Sequence, residues 1–267
     1  MASEERRVTV PDFAAWKQQG RKIAVITAYD YPTARLLDAA GVDCLLVGDS
    51  MGTTVQGRDT TLSVTLPQII YHSEMVARGT KRALVVADLP FLSYHVSPRQ
   101  AIRSAGRVMK GTGCQAVKLE GGRRMAATIR AVVDAEIPVM AHLGLTPQSI
   151  RRLGSYKVQR EEDALREDAR AVFEAGAFAV VLECIPARLA AAISSEIPIP
   201  TIGIGAGAGC DGQVLVLHDM FGLLSDGFRP RFARRYAELG EQMKQAAAEY
   251  VRDVRGGAFP TEDESFR

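Results

Sequence analysis

Four acidic residues of the 267-residue chain each stand at the carboxyl end of an apolar, strand-like run: Asp49, Asp88, Glu120 and Glu183. One such carboxylate is commonly a turn or helix cap. Four in equivalent positions, with Lys118 two residues before Glu120, favour a chemical role. Carboxylate oxygens are the ligands that Mg²⁺ prefers, and a spare carboxylate can act as a general base. We therefore expect metal-assisted proton transfer where these strand ends meet.

The acidic residues can be divided into metal ligands and a base. Asp49 and Asp88 are the predicted Mg²⁺ ligands, and Glu120 is either a third ligand or the holder of a bound water. A 2-oxo acid chelates such a cation, which then stabilises the enolate formed when the neighbouring carbon loses a proton. Lys118 would face the negative charge of the substrate, and Ser50 could donate from its hydroxyl or its backbone N–H.

Glu183 remains as the candidate base. The apolar run before it favours a buried carboxylate with a raised affinity for protons, although the side chain could instead pair with an arginine such as Arg188. His142 ends the fifth run, where it could contact substrate or an ordered water, or be a satisfied strand-end histidine. The histidines without a predicted catalytic role are His72, His95 and His218.

These residues need a scaffold that brings strand ends together, and eight apolar runs recur with helical segments between them. Near-continuous apolar strands are typical of parallel sheets that are buried on both faces. The runs are Ile23–Thr27, Cys44–Gly48, Leu84–Asp88, Ala116–Glu120, Pro138–His142, Phe178–Glu183, Pro200–Ile204 and Val214–Leu217. In a TIM barrel of about 250 residues the carboxyl ends of the strands form one catalytic face. We predict an α/β fold, a single (β/α)8 barrel over residues 1–267 with additional N- and C-terminal helices.

A weak internal repeat favours the same architecture. Gly113–Glu120 resembles Gly176–Glu183 at a spacing of 63 residues, and Glu136–Val139 matches Glu196–Ile199 at a spacing of 60. Each period covers two β–α units, as expected of a barrel built by duplication. The repeat places the glutamates that end the first two segments at the same position in their units.

Several segments lie outside the short connections expected of a barrel. Asp49–Thr65 is a long loop that we interpret as an active-site cover, and Leu143–Arg160 is a second. Gly203–Gly207 follows the seventh run, where backbone N–H groups could hold phosphate or a tight turn could admit a flat ligand. Pro230–Arg255 is predicted to be a helix, and the acidic tail 256–267 to be flexible.

Composition narrows the classes of partner. The formal net charge of +2 and the lack of a basic block interleaved with aromatic residues argue against nucleic-acid binding. The cysteines are scattered without a C-x-x-C pair, which predicts reduced thiols and no zinc site: Cys44, Cys114, Cys184 and Cys210. The polar first residues and the absence of an 18-residue apolar run predict no secretory leader, no membrane span and a cytoplasmic location.

A series of motifs resembles the ketopantoate hydroxymethyltransferase family, in order, over residues 8–250. The motifs are Gly48–Met51, Val55–Gly57, Asp59–Leu62, Ala87–Phe91, Val117–Gly122, Ala141–Gln148, Val181–Pro186, Thr201–Gly207 and Asp211–Gln213. The resemblance implies transfer of a one-carbon unit from 5,10-methylenetetrahydrofolate to 3-methyl-2-oxobutanoate, giving 2-dehydropantoate for pantothenate and coenzyme A synthesis. It also implies a Mg²⁺-dependent barrel and a ring-like homo-oligomer, commonly a decamer.

The family residues carry over to matching positions of this chain. Asp49 and Asp88 match metal ligands, Glu120 the third carboxylate of the metal site, and Glu183 the proton acceptor. The positions implied or expected to contact substrate are Asp49, Ser50, Asp88, Lys118 and His142. The positions that depart from the family pattern, in the covering loops and near the expected folate side, are Arg58, Ser63, Arg160 and Ala208–Gly209.

Two other functions remain open at this point. The first is a metal-dependent carbon–carbon lyase or mutase of the phosphoenolpyruvate/pyruvate type, whose lyases commonly carry a reactive cysteine in a Gly-rich lid. The Asp49–Thr65 loop contains no cysteine. The second is a binding or scaffold protein that assembles through its C-terminal helix, where apolar residues at helical spacing could alternatively pack on the barrel. These residues are Phe232, Tyr236, Leu239, Met243, Ala246 and Tyr250.

Overall fold

The computed structural model describes residues 6–155, 157–224 and 230–266. Its main feature is a closed barrel of parallel strands that neighbour one another in chain order. The strands are β1 (Ile23–Thr27), β2 (Cys44–Val47), β3 (Leu84–Asp88), β4 (Ala116–Glu120), β5 (Val139–Gly144), β6 (Ala179–Glu183), β7 (Thr201–Ile204) and β8 (Gly212–Leu215). The predicted (β/α)8 fold is confirmed. Residues 1–5, which entered the prediction about a leader, lie outside the described residues.

Helices connect the strands and begin at capping residues that the sequence supplies. The helices of the barrel unit are α1 (Val10–Gln18), α2 (Tyr31–Ala39), α3 (Met51–Thr54), α4 (Leu66–Gly79), α5 (Pro98–Thr112), α6 (Ala126–Asp134), α7 (Ile150–Leu153), α8 (Glu162–Glu174) and α9 (Ala187–Glu196). Ser97 caps α5 by accepting a hydrogen bond from the N–H of Gln100 at 3.2 Å, and Asp30 does the same for α2. Gly113, in the left-handed conformation, ends α5.

Successive side chains of each strand point alternately into the barrel and away from it, and this alternation positions the candidate site. Val86, Ala116, Met140 and Val181 belong to the buried apolar cluster inside the barrel. Because side chains two residues apart point to the same face of a strand, the residues two positions onward share that face. Those residues are Asp88, Lys118, His142 and Glu183, and Glu120 lies two positions beyond Lys118. The carboxyl half of the interior is therefore polar.

The amino end of the barrel is apolar and closed by α1. Phe13 is fully buried and meets Phe178, the residue before β6, with ring centroids 5.5 Å apart at 79°. Phe13 also contacts Trp16. Because this end is filled by aromatic side chains, the polar carboxyl end is the one available for ligands.

Three strands, β1, β3 and β4, have the predicted limits, and the other five differ from them by one or two residues at an end. The last run was expected at Val214–Leu217 but forms β8 at Gly212–Leu215, where Gly212 and Gln213 pair with both β1 and β7. Leu217 instead begins a short helix. Pairing on both sides decides the limits of a strand, and this information is not present in the apolar run itself.

Both long loops contain short helical turns. The Asp49–Thr65 segment folds as α3 and a 3₁₀ turn at Thr61–Ser63. The Leu143–Arg160 segment contains a 3₁₀ turn at Pro147–Ser149 followed by α7. The prediction that they cover an active site stays a prediction.

The chain divides into two compact units, Met1–Leu215 and Val216–Arg267. The second contains α10 (Leu217–Phe221) and α11 (Leu239–Gly256). The helix predicted from Pro230 begins only at Leu239, because the N–H of Tyr236 donates to the carbonyl of Met220 at 2.8 Å instead of closing a helical turn. The single-domain interpretation stays a prediction.

The surface of the second unit has apolar residues in contact with solvent. No residue of α11 is buried, and Met243 and Tyr250 are 63% and 57% exposed. The tail carries a 3₁₀ turn at Glu262–Glu264, closed by a capping box with Thr261. Within the described part of the chain, no helix combines the length and the apolar character needed to cross a membrane.

Candidate active site at the carboxyl end of the barrel

The predicted acidic residues and lysine meet at the carboxyl end of the strands. Asp88 and Lys118 are paired in register between β3 and β4, and the Lys118 Nζ donates to Asp88 Oδ1 at 2.7 Å. The backbone N–H of Asp49 donates to Asp88 Oδ2 at 2.9 Å. Asp49, Asp88, Lys118 and Glu120 are all buried. The Asp88 carboxylate is thus held by one contact at each oxygen.

Burial and mutual repulsion act on the charges of this cluster. Burial, together with the charges of Asp88 and Glu120, holds the pKa of Asp49 well above its usual range, although Lys118 and Gln148 oppose the shift. Burial would lower the pKa of Lys118, but Asp88, Glu120 and Asp49 outweigh it and raise that pKa. Lys118 is therefore cationic at neutral pH and balances only part of the negative charge.

The chemistry of these donors fits a divalent cation. Three buried carboxylates surround one ammonium group, and added positive charge would relieve their repulsion. Over the described ranges, no set of three or more His, Cys, Asp or Glu residues is already arranged as a metal cage. Mg²⁺ usually takes one or two carboxylates and completes its octahedron with water and substrate, so two protein ligands are sufficient.

Glu120, His142 and Glu183 form a second cluster beside the first. His142 Nδ1 is 3.5 Å from Glu120 Oε1, and Nε2 is 3.1 Å from Glu183 Oε2. Neither contact has the alignment of a hydrogen bond within the described residues. Burial and the charge of Lys118 act to lower the pKa of His142. The opposing effects of Glu120 and Glu183 outweigh them, so the pKa is raised to about 9. His142 is therefore an imidazolium between two carboxylates at neutral pH.

The structure describes a contact of Glu183 with His142 and none with Arg188. The Glu183 side chain is 16% exposed, whereas that of His142 is only 4% exposed. Of the acids in the two clusters, Glu183 is thus the one that reaches solvent.

Ser50 follows Asp49 in the chain, and its hydroxyl makes a contact that the sequence did not predict. Its hydroxyl is 2.7 Å from the hydroxyl of Tyr29, a buried residue that follows β1. Burial raises the pKa of Tyr29 to about 12, although the hydroxyl contacts of Ser50, Thr27 and Thr54 oppose the shift. A Cβ atom at Gly48 would lie 2.8 Å from the Ser50 hydroxyl, so a larger residue at this position would force that hydroxyl to shift.

Two further buried residues belong to the site and were not assigned roles. Gln148 closes one of the quoted family motifs, and its amide donates to Asp49 Oδ2 at 2.8 Å. Tyr94, from the loop after β3, donates to Gln148 Oε1 at 2.8 Å. A polar residue inside a long loop after a strand was the available signal for Gln148. Tyr94 gave no such signal, because its sequence neighbours resemble an ordinary loop.

A cavity of about 610 Å³ opens beside the two clusters. Glu120, His142 and Gln148 contribute to its wall, whereas Asp49, Asp88 and Lys118 do not. Its exposed arginines are Arg123, Arg124, Arg151 and Arg152. Arg123 is paired with Glu167 and Asp168, whereas the structure describes no acidic partner for Arg124, Arg151 or Arg152. The exposed part of the cavity is therefore positively charged.

The model of the ketopantoate hydroxymethyltransferase family matches residues 7–262. The chain belongs to this family. Curated relatives named 3-methyl-2-oxobutanoate hydroxymethyltransferase include one from Pelobacter propionicus, 55% identical over 100% of both chains. Another, from Trichlorobacter lovleyi, is 53% identical over 98% of this chain and 99% of its own. By family, the chain is a transferase enzyme.

Solved structures with low sequence identity share the fold. A phosphonopyruvate hydrolase in complex with oxalate and Mg²⁺ matches with a TM-score of 0.62 and 13% identity, over 96% of this chain and 93% of that one. A 2,3-dimethylmalate lyase matches with a TM-score of 0.60 and 18% identity, over 96% and 91%. At these identities the likeness describes the barrel and carries no activity to this chain.

Proposed function

We propose that the protein transfers a hydroxymethyl group from 5,10-methylenetetrahydrofolate to 3-methyl-2-oxobutanoate, giving 2-dehydropantoate for pantothenate and coenzyme A synthesis. The observation that carries the proposal is the pairing of a buried carboxylate–lysine cluster with the Glu183–His142 pair at one end of the barrel. The relatives that match over the full length bear the name of this reaction. Overall, the methylene carbon breaks its bonds to N5 and N10 of the folate and forms one bond to C3 of the oxo acid and one to the oxygen of a water molecule. Tetrahydrofolate leaves with two protons on its nitrogens, which balance the C3 proton and one proton of that water.

Asp49 and Asp88 would hold Mg²⁺, with Glu120 as a third ligand or through a bound water. When bound, the ion would polarise the ketone of the chelated oxo acid and stabilise the enolate. Lys118, kept cationic by the surrounding acids, would lie against the substrate carboxylate. Ser50 is a hydrogen-bond donor whose hydroxyl is positioned by Tyr29.

Glu183 would take the proton from C3 of the oxo acid. Its Oε2 lies 3.1 Å from the Nε2 of His142, so the carboxylate has a neighbour that can hold it in place. His142 also joins this base to Glu120, so the base and the proposed metal site are connected through one side chain. In this arrangement His142 would orient Glu183, and its contact with substrate stays a prediction.

The charged cavity suits the co-substrate. A folate carries a glutamate tail whose carboxylates are anionic at neutral pH, and Arg151 and Arg152 line the exposed wall. Such a tail would be held by exposed arginines while the one-carbon unit lies toward Glu120 and His142. Of the departures from the family pattern, none lies in the wall of this cavity, although Arg160 follows the wall residue Gln159.

Reversing the charge of Arg151 and Arg152 to glutamate is expected to raise the KM for the folate on the order of tenfold. Each exposed pair contributes at most about 1 kcal/mol, and 1.4 kcal/mol is a factor of ten. The KM for the oxo acid should change little, as measured by steady-state kinetics with each substrate varied. Arg130, exposed on α6 and absent from the cavity wall, provides the matched control Arg130→Glu. An unchanged folate KM in the double variant would contradict this placement.

We also propose self-association, with a homodecamer as the expected form. The support is the exposed apolar surface of α11, including Met243, Tyr250 and Val254. Light scattering of the intact chain at micromolar concentration should give a mass well above that of one chain. A monomer would contradict the proposal. A cytoplasmic location stays a prediction from the sequence.

The reaction itself is tested by product analysis. Incubation with 3-methyl-2-oxobutanoate, Mg²⁺ and 5,10-methylenetetrahydrofolate should yield 2-dehydropantoate, and omission of the folate should stop the product. Omission of the folate should leave C3 deuterium exchange in D₂O intact. Folate-independent cleavage of a carbon–carbon bond would indicate a lyase instead, and loss of both product and exchange would indicate a binding protein.

A further inference from the structure

Gln148 uses both polar atoms of its side chain in hydrogen bonds within the protein. The amide nitrogen donates to Asp49 Oδ2 at 2.8 Å and to the carbonyl of Leu89 at 3.0 Å. The amide oxygen accepts from the hydroxyl of Tyr94 at 2.8 Å. Gln148 is 5% exposed although it lines the cavity. A buried amide with this complete set of partners is held in a single position.

The backbone of Gln148 contacts a second acid of the site. Its N–H donates to Glu120 Oε2 at 3.0 Å. The residue lies in the 3₁₀ turn Pro147–Ser149, in which the N–H of Ser149 donates to the carbonyl of Thr146 at 2.8 Å. One turn after β5 therefore contacts a carboxylate just after β2 and another at the end of β4.

Tyr94 holds the oxygen end of the Gln148 amide, and two acceptors fix its nitrogen end. Its hydroxyl donates to Gln148 Oε1 and accepts from the backbone N–H of Glu120 at 3.1 Å. A reversed amide would place its oxygen against the Asp49 carboxylate and the Leu89 carbonyl, where lone pairs repel. The two N–H bonds therefore point at Asp49 and Leu89.

We propose that Gln148, oriented by Tyr94, is a positioning residue that turns the Asp49 carboxylate toward the cation and the oxo acid. Because Oδ2 of Asp49 is occupied by the amide, Oδ1 is the oxygen directed to the ligand; no described residue hydrogen-bonds Oδ1. Both oxygens of Asp88 already have partners in Lys118 and the Asp49 N–H. The hydrogen bond that the structure describes to the Asp49 carboxylate comes from Gln148, so the direction of this carboxylate depends on Gln148. The inference rests on the proposed function.

The test measures cation binding directly, with the full-length protein stripped of metal and titrated with Mn²⁺ under electron paramagnetic resonance. Residues that orient metal ligands typically contribute 10- to 100-fold in affinity, so Gln148→Met should weaken Mn²⁺ binding by about that factor. Tyr94→Phe should weaken it by a smaller factor. The double variant should be no worse than Gln148→Met, because Tyr94 acts through the amide.

A matched control and a kinetic readout separate positioning from general stability. Gln115 hydrogen-bonds the N–H of Val85 and the carbonyl of Gly113 at the amino end of β4, so Gln115→Met should leave Mn²⁺ affinity unchanged. In Gln148→Met the KM for the oxo acid should rise with the Mn²⁺ dissociation constant, and kcat at saturation should fall less. If Gln148 had only a structural role, its replacement would lower the melting temperature without changing KM more than kcat.

Three outcomes would overturn the inference. Unchanged or tighter Mn²⁺ binding by folded Gln148→Met would show that the amide does not orient Asp49. If Gln148→Met does not fold, Tyr94→Phe provides the test, because it removes only one oxygen atom and should preserve the fold. Mn²⁺ affinity equal to that of the parent in Tyr94→Phe would then overturn the proposal. Failure of the parent protein to bind Mn²⁺ would overturn the proposed metal site as well, which distinguishes the two failures.

Discussion

Asp49→Asn is expected to lower Mg²⁺-dependent turnover by at least about 10³-fold. Charge stabilisation by a metal contributes several kcal/mol to such a reaction, and each 1.36 kcal/mol is a factor of ten. Asparagine keeps the shape and can still accept from the Gln148 amide, so the fold should persist. Isothermal titration with Mg²⁺ measures the loss of metal binding, and steady-state rates measure the loss of turnover.

Asp88→Asn should lower Mg²⁺-dependent turnover as much as Asp49→Asn does, and it should also destabilise the protein. Asp88 is the partner of the buried Lys118 ammonium at 2.7 Å, and removing one member of a buried pair costs about 3–5 kcal/mol. Asp211→Asn is the matched control, since Asp211 pairs with Lys17 near the amino end of β8. It should lower the melting temperature without changing the Mg²⁺ dependence. Full activity of metal-stripped enzyme would contradict the assignment of both aspartates.

Glu183→Gln is expected to lower kcat by roughly 10²–10⁴-fold, the usual contribution of a general base. Glutamine keeps the size of the side chain and can still contact His142, but it cannot accept the C3 proton at neutral pH. The KM for the oxo acid should change little, because the chelated end of the substrate contacts other residues. C3 deuterium exchange without folate, followed by proton NMR, should be lost in parallel with turnover.

Glu161, an exposed carboxylate that also lines the cavity, provides the control for Glu183. Glu161→Gln should retain both exchange and turnover, because it lies outside the two clusters. Exchange at the parental rate in Glu183→Gln would assign the proton to another acceptor and leave His142 and its contacts without the proposed role. Loss of turnover with retained exchange would place Glu183 in a later step.

The sequence by itself determined the barrel and the acidic residues that meet at its carboxyl end. Apolar runs separated by amphipathic helices indicate parallel strands, and strand periodicity is a local property that survives without tertiary information. Because parallel strands converge at their carboxyl ends, Asp49, Asp88, Glu120 and Glu183 could be assigned to one face from their positions alone. The family membership is confirmed, whereas the roles that the family motifs imply for these residues stay predictions.

Only the tertiary structure decided which atoms meet. Glu183 contacts His142 and not Arg188, and the amide of Gln148 reaches Asp49 across 99 residues of sequence. Such contacts depend on barrel register and on loop conformation, which no local pattern encodes. The start of α11 at Leu239 likewise depended on a hydrogen bond between Tyr236 and Met220. Periodicity determines which face of a strand a residue occupies, whereas the identity of its partner is determined by how distant segments pack.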